Sequence, residues 1–104
     1  MGLSLKMFAK RPKATVLHKR YDVRIKAEIV LMPREVAVEG MILNCSEGGC
    51  LFRPFQSHLI NRTGDMVMVA LNGKRLTGRI MNTNERGYGI AFPELVDISW
   101  FGIR

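Results

Sequence analysis

Scarcity is informative in this chain. It has two cysteines, Cys45 and Cys50, in 104 residues, and its only other soft donors are His18 and His58. A structural zinc site needs about four ligands at suitable spacing, so no metal or cofactor is expected. The thiols are expected to stay reduced and to serve as small packing residues. No apolar run approaches the roughly 20 residues of a membrane helix; the longest is Met66 to Leu71. With no leader-like segment, a cytoplasmic protein without membrane insertion is expected. Aromatic residues make up 8% and fall mostly in strand or helix patterns, which argues against a barrel that stacks single-stranded nucleic acid. Catalytic patterns are missing too: there is no Ser/His/Asp arrangement, no carboxylate pair in apolar surroundings and no Walker loop. His18 and His58 fall in an arm and a loop and are expected to be solvated. An enzyme is excluded on these grounds, and a binding module remains.

Positive charge is abundant. Net charge is +7 and pI about 10.0, which favours an anionic partner. Lys6, Lys10, Arg11, Lys13, Lys19 and Arg20 precede the first acidic residue, Asp22. Residues 1–17 therefore form a basic N-terminal arm, interrupted at Arg11-Pro12-Lys13, and residues 18–104 form one domain large enough for a single core. Seven methionines, among them Met66, Met68 and Met81, are expected to fill that core.

From Val23 the pattern alternates. Val23, Ile25, Ala27, Ile29 and Leu31 share one face, and Arg24, Lys26 and Glu28 the other, as in a half-buried strand. Met32-Pro33-Arg34 ends it. Val36 to Leu43 is a second strand, with Gly40 marking a bulge or a close backbone approach. Cys50 to Phe52 is a short strand stopped by Pro54. A loop to Asp65 follows, pinned to the core by Leu59 and Ile60. Met66–Leu71 and Lys74–Thr83 flank Asn72-Gly73, a type I′ hairpin signal. Tyr88–Phe92 is the last strand. Pro93 and Glu94 suit the first turn of a helix in which Leu95, Ile98 and Phe101 share a face, with Gly102 at its end. Trp100 and Phe101 fit a core or an interface equally. Five or six short antiparallel strands with tight turns predict an all-β fold, a small closed barrel carrying a short C-terminal helix.

Between the second and third strands lies Asn44-Cys45-Ser46-Glu47-Gly48-Gly49, read as a polar turn. Asn44 and Ser46 put an amide and a hydroxyl two residues apart, and the glycines let a ligand approach the backbone. Upstream, Arg20 and Arg24 are four residues apart. Guanidinium groups fork onto phosphate oxygens, bond the O6 and N7 edge of guanine, or stack on a base. Arg75 and Arg79 have the same spacing within a hairpin strand, so the arginine pair says little alone.

Together, Arg20-x-x-x-Arg24 followed by Asn44-x-Ser46-x-x-Gly49 resembles the paired signature of the PilZ domain family, bacterial receptors for cyclic di-GMP. Tyr88-Gly89-Ile90-Ala91-Phe92 resembles the strand that ends such barrels, and the likeness runs from about residue 18 to 96. The resemblance implies a six-stranded antiparallel barrel with a helix near its C-terminus and a ligand held between arm and barrel. Arg20 and Arg24 would contact phosphates and guanine edges, Asn44 and Ser46 would hydrogen-bond guanine or phosphate, and Gly49 would leave room for the nucleotide. Lys19 occupies a position that varies in the family and would influence whether one nucleotide or an intercalated pair binds. Asn44 stands where many members have Asp; an amide offers one acceptor and one donor group in place of two acceptor oxygens. The implied function is a cyclic di-GMP receptor, a monomer or homodimer, that orders its arm on binding and signals to a protein partner. The alternative is a PilZ-fold adaptor that binds no nucleotide and acts through protein contacts.

Overall fold

A computed structural model describes residues 18–56 and 59–103; the predicted arm, residues 1–17, and His58 lie outside the described residues. Six strands form: β1 (Tyr21–Leu31), β2 (Val36–Ser46), β3 (Gly49–Pro54), β4 (Met66–Leu71), β5 (Lys74–Asn84) and β6 (Gly87–Ala91). They close into one antiparallel barrel in the order β1-β2-β3-β6-β5-β4, with β4 returning to β1. Closure leaves no free sheet edge, which is how so small an all-β domain protects its backbone hydrogen bonds.

Alternation sets the inside. Ala27, Ile29 and Leu31 of β1 and Val67, Val69 and Leu71 of β4 are buried, and Phe52 at 0% exposure is the largest sealed side chain. The β4–β5 turn has φ of 48° at Asn72 and 78° at Gly73, the paired positive values that a type I′ turn requires.

The predicted arrangement needs correcting in several places. The turn after β2 is Glu47-Gly48 alone; Asn44 and Ser46 are strand residues and Gly49 opens β3. Gly40 carries no bulge, for its register is regular against Ala27 and Pro54. It is the alternative, a close approach, because a Cβ there would collide with the Arg53 carbonyl oxygen. The bulges fall instead between Asp22 and Ile25, Ile42 and Asn44, and Ile80 and Asn82. Leu59 packs on the core, but the Ile60 side chain is exposed and only its carbonyl ties in, accepting from Tyr88 Oη at 2.9 Å. Among the described residues no methionine belongs to the buried core, because Met66 and Met68 take the outward positions between Val67, Val69 and Leu71.

The C-terminal helix is reduced to one 3-10 turn, Ile98–Phe101. Before it, the backbone is committed elsewhere: Phe92 N–H donates to Gly48 O and Val96 N–H to Glu47 O, both at 2.9 Å. Val96 N–H, the donor that would close the first turn of a helix begun at Pro93, is thereby taken by the β2–β3 turn. Asp97 then caps the short turn, accepting from Ser99 N–H at 2.9 Å, and Gly102 ends it at φ 84°. The Ser99 hydroxyl, donating to Asp97 Oδ1 at 2.7 Å, and the Ser99 N–H together hold the Asp97 carboxyl below its ordinary pKa. Phe101 is buried against Phe92, ring centroids 6.3 Å apart, so this segment covers one end of the barrel. Leu95 is left 63% exposed. Among the described residues no helix is long and apolar enough to cross a membrane.

Candidate functional site

Four of the six predicted site residues come together. Arg20, Asn44, Ser46 and Gly49 line one groove of about 630 Å³ on the outer face of β2, β3, β6 and β5. Its floor includes Leu51, Gly89 and Ala91, a mixture of apolar and small residues that keeps it open. Lys19 and Arg24 do not line it. Lys19 puts Nζ 5.2 Å from the centroid of the Tyr21 ring, and Arg24 is exposed in the β1 segment where the register slips.

Arg20 and Asn44, 24 residues apart in sequence, are joined directly. Arg20 donates from Nε at 3.1 Å and from an Nη at 2.6 Å to Asn44 Oδ1. The bulge between Ile42 and Asn44 makes this possible: two residues of β2 oppose one of β3, which re-aims the strand locally. Asn44 accepts both bonds without cancelling the guanidinium charge, as a carboxylate would. Among the described residues no carboxylate lines the groove, whereas three other surface hollows each include at least one glutamate: Glu28 and Glu39, Glu94, and Glu28 and Glu35. Two cations, Arg20 and Arg86, thus face this hollow without an acidic partner on its walls, an arrangement that attracts an anion.

Ser46 is 2% exposed. Its Oγ accepts from Gly48 N–H at 3.1 Å, so the hydroxyl helps hold the turn. Gly49 is required for packing: a Cβ would collide with the Ile90 carbonyl oxygen, and its absence lets β3 close on β6. Cys45 and Cys50 are free thiols, paired across the strands and buried in the core. Burial pushes Cys45 up to about 11 and Cys50 up to about 12, against a smaller opposing pull from Arg20. Neither is therefore a nucleophile at neutral pH.

The groove includes residues that no motif in the sequence marks. His18, expected to be solvated, has a side chain only 22% exposed, with Nδ1 3.6 Å from Glu47 Oε1. Its ring packs over Gly48, where a Cβ would meet it at 3.2 Å. Asn82, Arg86, Met81 and Leu95 also line the groove. Neither spacing nor composition marks them, because Asn82 and Met81 sit in an ordinary strand pattern and Arg86 in a turn; the bulge that turns them outward appears only in the register.

The groove lies open on a six-stranded antiparallel barrel, lined by Arg20 and Arg86 and, among the described residues, by no carboxylate. The chain belongs to the PilZ domain family, whose model matches residues 16–99, nearly its whole length. PilZ domains are cyclic di-GMP-binding and adaptor domains that interact with proteins. No individual curated protein matches the chain.

Proposed function

We propose that this chain is a non-enzymatic, cytoplasmic cyclic di-GMP receptor that signals to a protein partner. The supporting observation is the Arg20–Asn44 contact at the wall of a groove lined, among the described residues, by no carboxylate. Arg20 at the groove wall supplies charge-assisted bonds to a phosphate or guanine edge with the Asn44 amide beside it, and Arg24, outside the groove on β1, reaches the ligand from the exposed side. Ser46 and Gly49 act by holding the turn and closing β3 on β6, which shapes the groove. Lys19, between the groove-lining His18 and Arg20 in sequence, adds long-range attraction. Binding draws residues 1–17 onto the barrel and creates a new surface for the partner.

Calorimetric titration of cyclic di-GMP tests this reading. Arg20→Ala is expected to weaken binding by about 2 kcal/mol, the cost of one charged, forked contact. Micromolar binding retained by both Arg20→Ala and Arg24→Ala would remove the site assignment. A second reading, an adaptor that binds no nucleotide, draws on Ser46, whose buried hydroxyl is already engaged by the turn. Absence of cyclic di-GMP binding, together with binding of a defined protein partner, would favour it.

A further inference from the structure

The outer wall of the barrel contains a cross-strand row. Asn44 of β2 is paired with Leu51 of β3, Leu51 with Gly89 of β6, and Gly89 with Asn82 of β5. All four line the groove. At about 4.8 Å per strand step, three steps place about 14 Å of sheet between the two asparagines. The row is nearly symmetric. β2 and β5 flank the central pair β3–β6, and each is bulged immediately before its asparagine, at Ile42/Asn44 and Ile80/Asn82. On β5 the bulge leaves two consecutive side chains, Met81 and Asn82, exposed. Bulges that re-aim side chains are a feature of binding sites.

Chemistry repeats along with geometry. At one end a guanidinium, Arg20, accompanies Asn44; on the other side Arg86, in the β5–β6 turn, accompanies Asn82 as a lining residue. The Asn82 carboxamide lies against Gly89, where a Cβ would be 2.7 Å from Oδ1 and 3.0 Å from Nδ2. Its Nδ2 has no hydrogen-bond partner among the described residues, and its Oδ1 has only a 3.5 Å contact from Asn84. Other arginines on this side are engaged: Arg53 donates to Glu85 O at 2.6 Å and Arg79 to Gly64 O at 2.7 Å. The Arg86 guanidinium has neither a hydrogen bond nor an ion pair among the described residues.

We infer that the groove is bipartite and that Asn82 and Arg86 bind the second guanine end of the cyclic dinucleotide whose first end meets Arg20 and Asn44. This rests on the receptor reading above. A cyclic dinucleotide has two bases held apart by a phosphodiester ring, so a row with an amide and a guanidinium at each end matches both. A guanidinium forks onto guanine O6 and N7, and an amide offers both an acceptor and a donor to a base edge. The exposed Met81 and Leu95 supply apolar surface beside the bases.

Calorimetric titration of cyclic di-GMP into the full chain, comparing wild type with Asn82→Ala, Arg86→Ala and Arg20→Ala, tests the inference. Asn82→Ala and Arg86→Ala are each expected to lower affinity about tenfold with unchanged thermal melts. Arg86 lies in an exposed turn, so its truncation leaves the barrel intact and keeps the test decisive even if Asn82→Ala fails to fold. If wild type binds and Arg20→Ala loses affinity while Arg86→Ala stays within about twofold of wild type, the second end is refuted and the receptor reading stands. If wild type does not bind cyclic di-GMP, the receptor reading falls and the bipartite site falls with it.

Discussion

The two faces of the β2–β3–β6–β5 wall are one residue apart in sequence and opposite in chemistry. Inward lie Ile42, Cys45, Cys50, Phe52, Ile80 and Ile90, all buried. Outward lie Asn44, Gly89 and Asn82 in an open groove. The inner face is close-packed, so any change of volume there is felt by every neighbour. The outer face is shaped by what is left out: small side chains, no carboxylate, and polar groups with bonding capacity to spare. One sheet thus carries a packed core on one side and an open polar groove on the other.

Removing a sealed inner side chain should have the largest effect. Phe52→Ala is expected to cost about 4 kcal/mol of stability, the range for a buried aromatic that leaves a cavity, read by denaturant unfolding. The adjacent glycines of the β2–β3 hairpin sharpen the contrast. Gly49→Ala drives a Cβ into the rigid Ile90 carbonyl and is expected to cost about 3 kcal/mol. Gly48→Ala meets only the His18 ring, at 3.2 Å, and a side chain can yield, so its cost should stay below about 1 kcal/mol. Equal costs for the two would show that the hairpin is not clamped against β6.

The smallest effect concerns the thiols. Folding raises the Cys45 and Cys50 values above the ordinary 9.0, to about 11 and about 12, chiefly through burial of the neutral form. Their contribution to stability is full below pH 9.0 and is lost as pH rises through about 11 and about 12. At pH near 8, iodoacetamide followed by mass spectrometry should therefore leave the folded protein unmodified and label both cysteines in urea. Rapid labelling of the folded protein would mean that the inner face opens.

Much of the barrel was legible in the chain because its signals are local. Alternation in Val23–Leu31, the run Met66–Leu71 and the Asn72-Gly73 turn depend on residues a few positions apart, and each appears as predicted. The pairing of Arg20 with the Asn44 strand was also legible, through the two motifs. The C-terminal helix is shorter than its residues suggest for a reason outside that segment: the Glu47 carbonyl claims the N–H of Val96, which would otherwise close a first turn from Pro93. Buried methionines were expected from composition, yet outward strand positions took Met66 and Met81.

Periodicity and turn chemistry act between near neighbours, so a basic, strand-alternating PilZ domain with an arginine pair and an Asn-x-Ser hairpin is readable from the chain alone. That Gly49 serves packing, that His18 is covered, and that Asn44 and Asn82 end a single row emerges on folding. Those facts depend on register, and register across four strands is set by barrel closure and two bulges, neither of which is written in any short stretch of the chain.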